Sequence, residues 1–410
     1  MLNKDNQREL CYVVTIDEIK PIEGKDRVEC AVVGGWTIMV KKGQFHPGDA
    51  GIYFEIDSKV PAAAPFEFLE PKHYKIKTQK YGKFYSQGLL MHPSDFGWET
   101  AIEPIGEVRT EVIIDDEGKA HYPDDESRFL TKKLGVVYSV KEDNKRKGKG
   151  PDKYAKMAQR HRKLFTKAPF RWLMKRTWGK KFLFVFFGKA KDKRNWPAWV
   201  SKTDEERVEN MTWVLEDKGP WIATEKIDGT STTFTMKRGR GPFAKNEFYV
   251  CSRNVMFDEP DKQCFYDTNV YLEMAEKYNI KQHLEDMLGN YPEWDWVTIQ
   301  GETYGAGIQK NNYDLNDHRF MAFNFITSAD GRWSTPAMKV YLEVGYNIPC
   351  VPILSQGYQL PDTVEELREY VHSEPSTVNG KIKEGIVFRN PESTISFKCV
   401  DPAYLIKYHS

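Results

Sequence analysis

The sequence predicts an α+β protein: a small β-barrel, then a strongly basic segment, then a larger domain of antiparallel sheet with a few helices. Three observations carry this expectation. Short β-rich runs divided by turn residues crowd residues 11–96; helical and strand-like runs alternate without internal repeat from Trp196 onward; and the charge between them is lopsided. Residues 141–199 hold 20 Lys and Arg against 4 Asp and Glu, a local +16 in a chain of net charge +1, which leaves the remainder at about −15. At 410 residues there is room for two or three units. The expected domains are 1–140, 141–195 and 196–410.

The front unit rests on strand-like runs at 11–16, 27–33, 36–40 and 50–56, with Gly34-Gly35 and His46-Pro47-Gly48-Asp49 as turns. Short strands so closely spaced suit a small barrel or sandwich. Residues 43–54 resemble the strand-turn-strand of OB-fold modules that bind nucleic acid; a β-module serving only as scaffold is the alternative. Residues 134–138 close this unit.

The basic segment opens with Lys145-Arg146-Lys147-Gly148-Lys149-Gly150-Pro151, a flexible and solvated composition. Further on, Phe165, Phe170, Trp172 and Trp178 interleave with Arg162, Lys163, Lys167, Arg171, Lys175 and Arg176. Cations neutralise phosphates and rings stack on bases, so the mixture suits a nucleic-acid strand. A solvated linker docked on the acidic remainder has the same composition. The apolar run 182–187 reads as a buried strand. No window reaches the ~18 apolar residues of a membrane span, and Met1 to Asn6 lack the apolar core of a signal peptide, so neither membrane nor export is expected. Six dispersed cysteines without a Cys-x-x-Cys pair argue against structural zinc and a disulfide framework and for a reducing intracellular compartment such as the cytoplasm.

In the second domain, residues 202–211 read as a helix capped by Thr203 or Asp204, 268–288 as another, and Thr363-Val364-Glu365-Glu366 opens a third with capping-box spacing. The central stretch is Glu225-Lys226-Ile227-Asp228-Gly229-Thr230, at the end of a strand-like run over 221–224. A lysine attacks only as the neutral amine, and its ordinary pKa of ~10.4 keeps it protonated. Nearby positive charge would lower that pKa, Asp228 could hold a divalent cation through water, and Gly229 would turn the chain without a Cβ in a nucleotide's way. Alone, the tetrapeptide also fits an ordinary strand and β-turn.

Five further stretches supply what nucleotide transfer needs. Ser252-Arg253 offers a guanidinium for phosphate or ribose. Gly301-Glu302 ends a strand in a carboxylate. Phe323, in an alternating run, could stack on a purine. Glu384-Gly385-Ile386-Val387 repeats the carboxylate-glycine-strand pattern, and Lys398 brings a second lysine. Singly, each has a structural reading as core aromatic, surface cation or hairpin-edge acid; their order and joint roles separate them from coincidence.

With these motifs in place, residues 196–410 resemble the nucleotidyltransferase domain shared by ATP-dependent RNA ligases, DNA ligases and mRNA capping enzymes, an ATP-grasp-like ligase fold. DNA ligases and capping enzymes carry an OB domain after the last motif, whereas 12 residues follow Lys398 here. The OB-like front and Lys202-Thr203-Asp204-Glu205-Glu206-Arg207 resemble instead the fifth family of RNA ligases. The resemblance implies an enzyme, a monomer, that seals RNA 3′-OH ends to 5′-phosphates at nicks in duplexes, with ATP as co-substrate and Mg²⁺ or Mn²⁺ as cofactor. It implies Lys226 as the nucleophile that takes AMP, with Lys398 also catalytic. Glu225, Lys226, Arg253, Glu302, Phe323, Glu384 and Lys398 would bind the nucleotide, and Asp228, Glu302 and Glu384 would hold the metal through water. A DNA ligase, a capping-type enzyme, or a nucleic-acid-binding protein with a degenerate transferase domain are the alternatives. One departure stands out: relatives often end in Lys-x-Lys, but this chain has Lys398-Cys399-Val400, so the second contact is missing or comes from elsewhere, with Lys407 the candidate. Removal of the front module is expected to impair sealing more than self-adenylylation.

Overall fold

Alternating apolar residues and well-placed turns give the front unit its strands: β1 (Cys11–Thr15), β2 (Glu18–Pro21), β3 (Val28–Val33), β4 (Trp36–Lys41), β5 (Ala50–Phe54) and β6 (Leu89–Met91). They form two antiparallel three-stranded sheets, ordered β1-β5-β6 and β2-β3-β4. The computed structural model describes residues 1–3, 7–99, 113–114, 120–121, 128–139, 167–187, 196–202, 204–241, 244–253, 256–257 and 269–409. The Lys145-to-Pro151 run, Arg162, Lys163, Phe165, Thr203 and Cys264 lie outside the described residues. The inward faces of β1, β3, β4 and β5 bury Tyr12, Ala31, Trp36, Ile38 and Tyr53 in one core, while Cys11, Val13, Ile52 and Phe54 face a second. This is the period-two logic of strands buried on both faces.

The second domain is two sheets. The first orders β7 (Glu206–Arg207), β15 (Ser396–Val400), β14 (Gly385–Arg389), β8 (Trp221–Lys226) and β13 (Ile353–Tyr358). The second is built on β10 (Glu247–Ser252), β9 (Thr230–Lys237), β11 (Trp296–Gly305) and β12 (His318–Thr327), with two-residue strands at both edges. Pairing is antiparallel except between β7 and β15. Among the described residues no helix is long and apolar enough to cross a membrane.

Several sequence expectations are corrected. Residues 202–211 form no α-helix: Glu206 and Arg207 pair in parallel with Phe397 and Lys398, and Val208–Asn210 makes a 3-10 turn. The run's acids have partners inside: Glu209 is 1% exposed and accepts from Arg368 at 2.8 Å. The 268–288 helix is two, α3 (Val270–Lys277) and α4 (Ile280–Asn290), broken where Asn279 takes a left-handed φ of 48°. The apolar run 182–187 ends a helix, α2 (Thr177–Phe187), that follows α1 (Ala168–Met174); six apolar residues in a row cannot distinguish the two periods. The strand carrying Glu302 does not end there but continues to Gly305. By contrast, α5 (Val364–Ser373) begins with the expected capping box of Thr363 and Glu366, and α6 (Pro402–His409) closes the chain.

Front and second domains share an interface centred on the 3-10 turn. Asn210 Oδ1 accepts from Trp36 Nε1 at 2.7 Å and from the Tyr12 hydroxyl at 3.2 Å, while its Nδ2 donates to buried Glu55 at 3.1 Å. Val400 and Leu405 pack into the barrel core beside Tyr12 and Trp36. Close backbone approach adds to this: Gly35 N–H donates to Glu209 carbonyl at 2.8 Å, and a Cβ on Gly35 would meet Glu209 Cα at 2.6 Å.

Candidate active site

Lys226 is the last residue of β8 and Thr230 the first of β9, so Ile227, Asp228 and Gly229 carry the chain from one sheet to the other. Each sheet sends a carboxylate to that crossing. Glu384 precedes Gly385, the register partner of Lys226, and its Oε2 accepts from Lys226 Nζ at 2.7 Å. Glu302 lies opposite Ser231 across β9 and β11. A cavity of about 340 Å³ opens between the sheets, lined by Lys226, Arg253, Glu302, Phe323, Glu384 and Lys398. One side chain from each of the six stretches singled out in the sequence therefore faces a single space, of a size that admits a small ligand. Phe323 stands on its apolar wall with Ile227 and Val351.

The electrostatics set the resting state of the lysine. Burial acts to lower the Lys226 pKa, but Glu384 and Glu302 outweigh it and lift the group above its ordinary value. Glu302 is pushed up to about 8, first by burial and then by Glu384 and Asp228, against the pull of Lys226. Glu384 is raised too, again chiefly by burial. With carboxylates as its neighbours Lys226 is an ammonium, so the amine is released only when positive charge takes its place. Two desolvated carboxylates with oxygen donors fit a hydrated Mg²⁺ or Mn²⁺, which would relieve the crowding of negative charge that raises them. Among the described residues no group of three or more His, Cys, Asp or Glu could hold a metal ion.

Asp228 sits differently from the sequence expectation. It is buried and is not among the cavity-lining residues. Its Oδ2 accepts from Asn312 Nδ2 at 2.5 Å and the Tyr404 hydroxyl at 2.9 Å, with His409 Nε2 at 3.3 Å. The carboxylate thus ties α6 to the Lys-x-Asp-Gly turn from behind. Gly229 is likewise constrained from behind: a Cβ there would lie 2.3 Å from the Thr303 carbonyl and 3.0 Å from Glu302 Cγ. Its smallness lets the turn lie against β11, while the residue itself lines the cavity. Gly229→Ala should push the Thr303 backbone and Glu302 aside, costing about 1–3 kcal/mol of stability; thermal unfolding that matches wild type would refute this. Glu225 lines the cavity, yet its Oε1 accepts from the Ser376 hydroxyl at 2.5 Å and its Oε2 from Thr377 N–H at 2.8 Å and Thr377 hydroxyl at 2.6 Å. It fastens the loop after α5 to β8.

The opposite end is cationic, and the sequence reading missed half of it. The parallel register of β7 with β15 brings Asp204 beside Lys398, which donates to it at 2.8 Å. Arg253 also pairs with Asp204, and Arg8 Nε lies 3.6 Å away. Burial would raise the Asp204 carboxyl, but Lys398, Arg8 and Arg253 hold it well below the usual range. Lys398 falls to about 8, chiefly through burial and, against Asp204, through Arg8, Arg207 and Lys226. Arg207 is 5% exposed and stands over the Trp36 ring at 5.7 Å, and its Nε and Nη1 have no hydrogen-bond partner. Arg8, Asp57 and Tyr138 of the front unit line the same cavity. No motif announced Arg8; Arg207 was visible in the Lys-Thr-Asp-Glu-Glu-Arg run but was read as part of a helix. The second lysine expected near Lys398 is replaced by Val400 on the cavity wall, and Lys407 lies over the Tyr408 ring at 4.9 Å, outside the lining. Positive charge comes instead from Arg8 and Arg207.

Comparison with known proteins agrees with this architecture. The RNA ligase family model matches residues 219–409 and an OB-fold domain model matches residues 10–93. Among solved structures, the chain is similar to the Naegleria gruberi RNA ligase with PPi, at 24% identity and TM-score 0.67 over 98% of this chain and 99% of that one. A mutant of that enzyme with ATP and Mn is 24% identical, with TM-score 0.68 over 98% of this chain and 100% of that one. Another mutant, with AMP and Mn, is 23% identical, with TM-score 0.67 over 98% and 99%. At these identities the likeness is one of fold. No curated protein matches in sequence.

Proposed function

Because the chain carries an RNA ligase domain behind an OB-fold module, we propose that it is an ATP-dependent RNA ligase that joins a 3′-OH end to a 5′-phosphate end at nicks in duplexes. The observation that carries this reading is the placement of Lys226 Nζ in a nucleotide-sized cavity, 2.7 Å from Glu384, with Lys398 and Arg253 on the same wall. Lys226 attacks the α-phosphorus of ATP; the N–P bond forms as the bond to pyrophosphate breaks, and the amine proton leaves to solvent. AMP then passes to the RNA 5′-phosphate, returning the lysine as a free amine. The 3′-OH attacks that activated phosphate, forming the phosphodiester and expelling AMP.

Each residue has a task suited to its setting. Glu302 and Glu384 would hold a hydrated Mg²⁺ or Mn²⁺, which supplies charge neutralisation at the amine and the α-phosphate. Phe323 offers its ring to the base, and Arg253 its guanidinium to ribose or phosphate. Lys398 and Arg207 face the phosphates, with the orphaned N–H groups of Arg207 as ready donors. On this reading incoming phosphate takes the cations that Asp204 occupies in the ligand-free cavity. Phosphoryl transfer gains mostly from positioning and charge neutralisation, so no separate acid-base pair is required. Incubation with ATP and Mn²⁺ followed by intact-mass and peptide mass spectrometry should reveal one added adenylate, on the Lys226 peptide. No added mass, or adenylate on another side chain, would overturn the assignment.

A further inference from the structure

The helical hairpin of α1 and α2 stands outside both regions matched by family models and has no task in the chemistry above. Its sequence is chemically one-sided: residues 167–187 contain six Lys or Arg and no Asp or Glu. Three of its aromatic residues are turned outward. Trp172, Trp178 and Phe182 are 51%, 57% and 52% exposed, although an indole is normally well covered. Gly179 explains how the rings meet, since α2 comes so near α1 that a Cβ at this position would lie 2.2 Å from the Leu173 carbonyl. Trp172 and Trp178 then stand edge to face at 6.2 Å, and the Arg176 guanidinium lies over Trp172 at 3.7 Å. Trp178 and Phe182 are four residues apart on one helix face.

We propose that this hairpin is a docking surface for single-stranded RNA, with bases stacking on the Trp172–Trp178 platform and phosphates running over the lysines. Charge complementarity selects the occupant: a polyanion matches a segment of six cations without an acid. The shape selects it further. Among the described side chains Leu183 is 2% exposed and turned inward, so the exposed apolar surface there is the separate rings of Trp172, Trp178 and Phe182 rather than the continuous stripe a helix needs to lie in a lipid interface. Flat rings beside cations are what successive bases require. The choice of RNA over other single strands rests on the ligase reading; the hairpin's capacity to stack bases does not.

The test uses the full chain and labelled oligoadenylate, with anionic phosphatidylserine vesicles as the second probe. Trp172→Ala with Trp178→Ala should weaken oligoadenylate binding about tenfold or more while leaving its salt dependence nearly unchanged. Lys180→Gln with Lys181→Gln should weaken it and reduce the salt slope by ~1.4. Trp178→Phe should retain most of the affinity, because a smaller ring still stacks. Self-adenylylation serves as the folding control and should be unchanged in all three variants. Wild-type affinity in the double Trp variant would overturn the proposal, as would binding to vesicles but not to RNA. A chain that binds RNA through the tryptophans yet takes no adenylate would support the hairpin and sink the ligase reading.

Discussion

Lys226→Ala removes adenylate transfer to the chain and lowers ATP-dependent joining by ~10³-fold or more, the scale expected when a covalent nucleophile is lost. The loss is selective by step. In the proposed mechanism the lysine serves only to make and pass on the adenylate, so RNA supplied with a preformed 5′-adenylate should still be joined by the mutant. Because the mutation also frees Glu384 from its 2.7 Å partner, that buried carboxylate loses the cation it contacts, and its proton should bind more tightly. Gel assays with ATP and with pre-adenylylated RNA, run side by side, check both halves. Undiminished labelling of the mutant by ATP would remove Lys226 from the reaction, and equal loss in both assays would give it a role in the last step too.

The second large effect concerns Glu302. Its carboxyl is pushed up to about 8 by burial, Glu384 and Asp228, against the pull of Lys226. The sign follows: the carboxylate that attracts a cation grows as pH rises through about 8, and the raised Lys226 pKa likewise yields more free amine at higher pH. Adenylylation should therefore climb with pH from neutrality. Lys398, lowered to about 8 chiefly by burial, loses its charge over the same range and should bend the profile downward beyond it. Raising the Mn²⁺ concentration should move the ascending limb to lower pH, since cation and proton compete for the same oxygens. Glu302→Gln should cut the rate by ~10²–10³-fold and abolish that Mn²⁺-dependent displacement. A profile in the mutant that still moves with Mn²⁺ would assign the limb to Glu384 or to substrate.

The parts of the site legible in the sequence are those whose chemistry and local structure agree. Lys226, Glu302, Phe323, Glu384 and Lys398 lie on or beside strands of the two sheets that face the cavity, and their residue types and motifs singled them out. What escaped detection depends on distant partners. Asp204 and Arg207 belong to a run with good helix composition, and only the parallel pairing with Phe397 and Lys398 draws it out as a strand; tertiary context overrides propensity there. Arg8 reaches the cavity because the front barrel is docked through Asn210, a contact across 155 residues to Glu55 that no local pattern encodes. Asp228 erred in the other direction. Its motif suggests a metal, while the helix that claims it comes from the end of the chain. The six-residue apolar run 182–187 failed for want of length.

The shared wall between barrel and second domain changes what truncation can achieve. Arg8, Asp57 and Tyr138 belong to the cavity, and Val400 and Leu405 are buried in the barrel's own core. A fragment lacking the barrel would leave the floor beneath Lys398 open to water and expose apolar side chains of its final strand and helix. The shared core and cavity predict that the two domains melt in a single transition, and, against the expectation from sequence that sealing alone suffers most, that deletion depresses self-adenylylation together with sealing. Whatever displaces the first domain carries Arg8, Asp57 and Tyr138 with it, and so reshapes the cationic end of the cavity without any hinge.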